Sequence, residues 1–557
     1  MMKIPSPELF ALPALPGVKT WYPADQPAPL GQLPPGTARV VARSAFGRAH
    51  DAEVDARQAR LPGLAPGTYA IEAWSATGEM LADELTTVCD TPGDRPVPGF
   101  VTSYSPDAVA PSLAWLRALR CTTVQFYDWM ASYAEPLAAT DRYADRLGRE
   151  HSLTAIAQLT AGCRELGATP QAYAPVYAVD PDFGGDHPGW LLYRSDGEPQ
   201  CLGDLLQITD PGNGEWQRHW LAGYGGAADA LGFTGFHLDT YGYPREPFDA
   251  RSRPVAMAAA YTSFLHTLRA ARPTAVLSFN QVNGVPRDFQ RPARPAFRYL
   301  EVWPPNDRWR HLEGLLSRSA DRNAADEGPA ALALYPPSWS GERADSLRTV
   351  LLTEAVTTTL GASLLVWGDD HGCLRHPYYP DYQRLTAAEA GQVLRWHRFA
   401  LRCRDLFAGG TDTSWTEFGD ENGAVSVRWL PLAGPNVQGA CAAAGESVLA
   451  RPEPDGGVVY ARVVRHDGCI AVSVLDLTGS PAGSWQSPTG PGRCHDATVT
   501  VLLGEPGRWT AEAAVMGDGD DRFTEVPTRQ REHREGTAVE IDLPTPAGWS
   551  VLRLTRR

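Results

Sequence analysis

Along the middle of this chain, short apolar or alternating runs take turns with longer segments whose apolar residues recur at helical spacing. The runs Phe100–Tyr104, Thr122–Tyr127, Pro170–Tyr177, Phe233–Asp239, Ala275–Asn280, Phe297–Trp303, Ala330–Tyr335 and Ser363–Trp367 read as strands. Between and after them, Ser112–Leu119, Leu153–Leu166, Glu215–Leu231, Ala256–Ala271, Trp309–Arg318, Ser346–Leu360 and Ala387–Arg404 read as amphipathic helices. Alternation of this kind implies a parallel sheet wrapped by helices. Eight strands predict a (β/α)₈ TIM barrel over residues 97–406. A doubly wound sheet alternates too, but no G-x-G-x-x-G follows the first strand.

Both flanks lose the helical period. Within residues 1–96 the runs Thr37–Val41 and Thr68–Trp74, and a strand from Gly78 to about Val88, are separated by turn signals such as Pro66-Gly67. That spacing predicts a small immunoglobulin-like β-sandwich, with the Pro/Gly-rich segment Thr91–Pro96 as its exit. Beyond about Phe407, Ala424–Trp429, Val458–Val464, Cys469–Leu475, Thr498–Leu503, Ala511–Met516, Ala538–Leu543 and Ser550–Leu554 predict a C-terminal antiparallel β-sandwich over 407–557. The expected fold class is therefore multidomain, α/β in the centre and all-β at both ends.

Composition narrows the partners. A formal charge of −15 argues against nucleic acid, whose phosphates need clustered Lys and Arg. A neutral substrate suits it better. No stretch approaches the roughly 18 apolar residues of a membrane span. The N-terminal MMKIPSPELFALPALPGVKT is broken by prolines and has no apolar h-region, and the nine cysteines include no C-x-x-C pair. A cytoplasmic location with reduced thiols is expected.

The candidate chemistry lies at the strand ends. Gly235-Phe236-His237-Leu238-Asp239-Thr240-Tyr241-Gly242 ends a strand on an acid, and Arg298-Tyr299-Leu300-Glu301-Val302-Trp303-Pro304 does the same two strands later. A barrel keeps its reacting groups at the carboxyl ends of its strands. Two carboxyl groups there, among rings, suit glycoside hydrolysis, which needs one ionised and one protonated carboxyl group flanking the anomeric carbon. Trp303 and Tyr299 could desolvate Glu301 and raise its pKa. A lone acid at such a position often caps a helix or pairs within its loop, and two in register weaken that reading. Further candidates for a sugar cleft are Tyr127, Asp128 and Trp129 after strand two, Tyr177 on strand three, His237 and Tyr241 beside the first acid, Asn280 after strand five, and Trp367 with Asp369 after strand eight. For any single ring, packing between barrel and helix is the commoner role. The absence of H-E-x-x-H predicts no catalytic metal, and Asp369-Asp370-His371 reads as an Asp-capped turn. No G-x-S-x-G elbow or P-loop occurs, and no cofactor is expected.

Together, QFYDWM followed by Glu135-Pro136-Leu137, then GFHLDTYG, YLEVWP and GDDHGCLRHPYYPDY resemble the family-66 glycoside hydrolases. That family contains endo-dextranases and cycloisomaltooligosaccharide glucanotransferases, and its three-part layout matches the segmentation above. The resemblance implies retaining action on α-1,6-linked glucan, with Asp239 as nucleophile, Glu301 as general acid/base and Asp128 as a further site acid. His237 departs from the family's pattern. The family's transferases carry a carbohydrate-binding module inserted in the catalytic region, whereas strand eight here runs through Gly372–Tyr382 straight to the last helix. That favours hydrolysis of dextran-like glucan or short isomaltooligosaccharides. A transglycosylase and a non-catalytic carbohydrate-binding barrel are the competing readings. An amylase-like site would need Arg at 237 and Glu near 280, where this chain has His237 and Phe279-Asn280-Gln281.

Overall fold

The centre of the molecule is one curled sheet whose parallel strands follow each other in chain order. The computed structural model describes residues 14–15, 17–55, 58–240, 242, 246–285, 295–317, 328–336, 339, 341–412, 426–431, 448–449, 453–492, 497–503, 507–517, 521–533, 536–543 and 548–557. Strands one to eight are Pro98–Val101, Thr123–Phe126, Thr169–Pro175, Gly235–Asp239, Val276–Val282, Phe297–Glu301, Ala330–Ala333 and the broken pair Ser363–Leu365 and Trp367–Gly368. Each pairs in parallel with its neighbour. The first half of strand eight pairs with strand seven, and Gly368 pairs with Phe100 of strand one, so the sheet returns to its beginning. Two glycines permit this closeness. A Cβ on Gly368 would lie 2.2 Å from the carbonyl oxygen of Phe100, and one on Gly235 would lie 2.4 Å from that of Val276.

Helices cover the sheet where the sequence pattern places them, and local signals end them. Leu153–Leu166 starts at Ser152, whose side chain accepts from the Ala155 N–H, and stops at Gly167 in a left-handed turn. Gly214–Leu231 is capped by Asn213, which accepts from the Glu215 and Trp216 N–H groups, and stops at Gly232. Pro106–Ala118 begins six residues earlier than the pattern predicts, because Pro106 suits a helix start and the helix also carries Pro111 inside it. Two excursions are not legible from periodicity. One follows strand two and contains the hairpin Arg142–Ala144 with Glu150–Ser152. The other follows strand three and contains a small sheet of Ala178–Val179, Leu206–Ile208 and Cys201–Leu202. Strand six stops at Glu301, so Trp303 stands in the loop beyond it.

On the N-terminal side a five-stranded and a three-stranded sheet share an apolar cluster including Val40, Ile71 and Leu61. On the C-terminal side a six-stranded and a five-stranded sheet share Val472, Val501, Ile541 and Leu552. Thr524–Val526 and Thr528–His533 add strands there that alternation did not reveal. Asp83 of the N-terminal sheet binds Arg398 and Arg402 of the last helix at 2.6 and 2.7 Å, and Asp521 joins both arginines. Among the described residues no helix is long and apolar enough to cross a membrane.

Candidate active site

Strand register assembles the site. Asp239 sits opposite Pro175 at the end of strand four, Asn280 opposite Tyr299, and Glu301 opposite Ala333 at the end of strand six. Asp239 and Glu301 face a cavity of about 510 Å³ at the carboxyl ends of the strands. The Asn280 side chain joins them: its Nδ2 donates to Asp239 Oδ1 and to Glu301 Oε2, both at 2.7 Å. Those two oxygens are therefore no further apart than twice that distance. The reversed amide would aim a carbonyl at two carboxylates, so the network fixes its orientation. Tyr173 OH donates to Asp239 Oδ2 and Tyr335 OH to Glu301 Oε1, each at 2.6 Å. Trp303 adds a side-chain hydrogen bond to Glu301.

Burial raises the pKa of both carboxyl groups, and the charge on Glu301 raises Asp239 further. The hydrogen bonds from Tyr173, Tyr335, Trp303 and Asn280 pull the other way. Two acids this close titrate as a unit, and the charge on one favours the protonated form of the other, so the pair passes through a state that shares one proton. One carboxylate and one carboxylic acid on neighbouring strand ends can serve as nucleophile and proton donor to a single bond.

The cavity floor is aromatic and neutral. Tyr127, Tyr173, Tyr177, Tyr299, Tyr335 and Tyr379 line it, and burial raises all six phenols above their ordinary range. His237 is buried between Tyr173 and Tyr299, with Nδ1 3.0 Å from Ser278 Oγ, and burial holds its pKa down to about 3. The imidazole is thus an uncharged part of the floor.

Asp128 also lines the cavity, on a left-handed backbone at φ 46°. Burial pushes its pKa up to about 7 against the pull of Arg149, whose guanidinium lies 4.0 Å away. Arg149 spends its charge mainly on Asp145, with Nε 2.8 Å from Asp145 Oδ2. It also donates to the main-chain oxygens of Asp128 and Thr102 and lies over the Tyr378 ring. One arginine thereby ties the loops after strands one, two and eight around Asp128.

The structure brings Tyr127, Asp128, Tyr177, His237, Asp239, Asn280, Glu301 and Trp303 to one cavity. Three expected residues are not there. Trp129 is fully buried against Phe233 and Tyr224 and donates to the Tyr173 carbonyl. Trp367 is buried with its indole N–H toward Glu354 of the helix Arg343–Thr359. Asp369 is buried and accepts from the Thr102 N–H and hydroxyl and the Ser103 N–H, a turn-capping role. Tyr241 lies outside the described residues. Sequence reasoning missed Tyr173, Tyr335, Tyr379 and Arg149 as site residues. Their only signal was a tyrosine near a strand end, or none. Among the described residues no group of three or more His, Cys, Asp or Glu is placed to hold a metal ion.

The family model described as glycosyl hydrolase family 66 matches residues 67–552. Two relatives are cycloisomaltooligosaccharide glucanotransferases of Niallia circulans. One is 25% identical over 218 residues, 35% of this chain and 22% of its own length; the other is 24% identical over 234 residues, 38% and 24%. The matches span under a quarter of those relatives. A cycloisomaltooligosaccharide glucanotransferase from Paenibacillus sp., solved with cycloisomaltoheptaose, has a similar fold at TM-score 0.74 and 17% identity, covering 96% of this chain and 98% of that one. A maltogenic α-amylase from Thermotoga neapolitana gives 0.51 at 12% identity, covering 83% and 99%.

Proposed function

Because the chain belongs to glycosyl hydrolase family 66, we propose that it is a retaining glycosidase acting on α-1,6-linked glucan or isomaltooligosaccharides. The observation that carries the reading is the single Asn280 amide touching both carboxyl groups. That contact keeps one oxygen of each group no further apart than twice 2.7 Å, which supports the close spacing of roughly 5–5.5 Å used by retaining enzymes over the wider one with which inverting enzymes leave room for a water. Asp239, held by Tyr173, forms a bond to the anomeric carbon as the C1–O bond breaks. Glu301 gives its proton to the departing sugar oxygen. Glu301 then takes a proton from the incoming water, which displaces Asp239 and restores the α-configuration. Asp128, the tyrosine floor and Trp303 hold the sugar by its hydroxyls and C–H faces.

We assign residues 97–406 to a (β/α)₈ catalytic barrel, 1–96 to an immunoglobulin-like β-sandwich and 407–557 to a C-terminal β-sandwich. The strand order, the return of strand eight to strand one and the paired sheets at either end support this layout. Incubation with dextran, isomaltotriose, starch and pullulan, followed by product separation, tests the function. Shortening of dextran and isomaltotriose alone is expected, and preferential cleavage of starch contradicts it. The names of the related proteins favour a second outcome from the same intermediate: a sugar hydroxyl replaces water, and longer or cyclic products appear.

A further inference from the structure

The rim of the cavity does not match its floor. Four large apolar side chains are exposed among the described residues, and three of them, Leu147, Leu202 and Trp303, line this cavity. Leu147 and Leu202 are 44% and 45% exposed. Leu147 stands in the turn of the hairpin after strand two, and Leu202 at the turn of the small sheet after strand three. Leu205, in that same turn, and Leu206, which opens the next strand of the sheet, line the cavity beside it. Strands two and three are neighbours, so these leucines form one side of the mouth. Trp303 and Tyr335 come from the loops after strands six and seven, across the site. The exposed apolar rim is therefore aliphatic on one side and aromatic on the other.

The two walls suit different chemistry. Rings stack on the C–H faces of sugars, whereas leucine offers a hydroxyl-rich chain neither a flat face nor a hydrogen bond. An aliphatic wall gains most from an apolar group that covers it. The wall is continuous with the cavity that holds Asp239 and Glu301, so a group attached to the sugar being cleaved is within its reach. Building on the glycosidase reading above, we infer that the wall after strands two and three binds an apolar aglycone, and that α-isomaltosides of aliphatic alcohols are substrates. The chemistry is that already described: the C1–O bond to the alcohol breaks, Glu301 protonates the alcohol oxygen, Asp239 bonds to C1, and water completes the turnover.

The test uses the full-length protein and n-alkyl α-isomaltosides from propyl to octyl, below their micelle-forming concentrations. Over this range the acidity of the alcohol is nearly constant, so a trend in kcat/KM reads contact with the wall rather than leaving-group quality. The expected result is a rise of about two- to fourfold per added methylene, the upper figure being that for full burial. In Leu147→Ser/Leu202→Ser the slope should fall toward no dependence. Both positions are well exposed, so folding should tolerate the change. If that variant nonetheless misfolds, the wild-type slope decides alone. Turnover of the series with no dependence on chain length overturns the inference, as does an unchanged slope in the double variant. Dextran cleavage with every alkyl isomaltoside inert overturns it while sparing the glycosidase reading. Inertness toward dextran and alkyl isomaltosides alike overturns both.

Discussion

Replacing Asn280 by Ala should move the acid limb of the activity profile more than it damages the fold. The amide gives one nitrogen to two carboxyl groups at 2.7 Å, and the replacement removes both bonds and leaves Tyr173 and Tyr335 in place. A hydrogen bond to a charged acceptor is worth about 1.5–3 kcal/mol, and it favours the ionised form. Only the bond to the first carboxyl group that ionises affects the lower macroscopic pKa. Its loss should raise that pKa by about 1–2 units, at about 1.36 kcal/mol per unit. The ionised nucleophile then appears only at higher pH, so the acid limb of kcat/KM shifts upward. Lost alignment should lower the maximum by about 100-fold, the scale of a small misplacement of a reacting group. The assay is initial-rate kinetics on an aryl α-isomaltoside across the stable pH range. An acid limb unmoved in Asn280→Ala would refute the bridging role, whatever the fall in rate.

Trp303→Phe keeps a ring but loses the donor to Glu301. The Glu301 pKa should rise and the alkaline limb of kcat/KM move to higher pH; a downward shift would mean that the ring acts only by excluding water. Arg149→Met removes the charge that offsets burial of Asp128. Asp128 should then be more fully protonated at neutral pH, with KM for isomaltotriose raised about tenfold and kcat less affected, as for loss of a hydrogen bond to a charged group; an unchanged KM would remove Asp128 and Arg149 from sugar binding. Asp239 has a folded pKa raised above its unfolded value, so the folded state holds that proton more tightly and loses stability as pH rises toward the raised value. Asp239→Asn should therefore be inactive yet have a higher Tm than wild type at about pH 8, with little difference at about pH 4; equal Tm values at both pH values would contradict the raised pKa. With azide, Glu301→Gln should give the α-azide and Asp239→Gly the β-azide, since azide attacks the glycosyl-enzyme in one and the vacated face in the other; exchanged anomers would exchange the roles.

The strands and most helices were legible because burial on one face or both imposes a period on the chain. Asp239 and Glu301 were legible because each ends such a period with a charge. The limit came where the backbone turns. Alternation through Phe126-Tyr127-Asp128-Trp129 puts Tyr127 and Trp129 on the same face, but Asp128 at φ 46° breaks the parity and sends Trp129 back against Phe233. Asp369, at φ 41°, likewise turns to the Thr102 N–H instead of the cavity. Tyr173 and Tyr335 were missed for a different reason. A phenol at a strand end looks the same in sequence whether its hydroxyl meets a carboxylate or a backbone carbonyl. Arg149 could not be found at all, because the loops it joins are distant in the chain.

As the proposed nucleophile, Asp239 should become covalently bonded to the sugar during turnover. A 5-fluoro-α-isomaltosyl fluoride, which slows the second step more than the first, should trap that species. Peptide mass spectrometry after proteolysis locates the label. The expected result is time-dependent inactivation and one added glycosyl group on the peptide carrying Asp239, lost on incubation with isomaltose as acceptor. A label on Glu301 or Asp128 would contradict it, as would steady turnover of the fluoride to β-configured product with no labelled peptide.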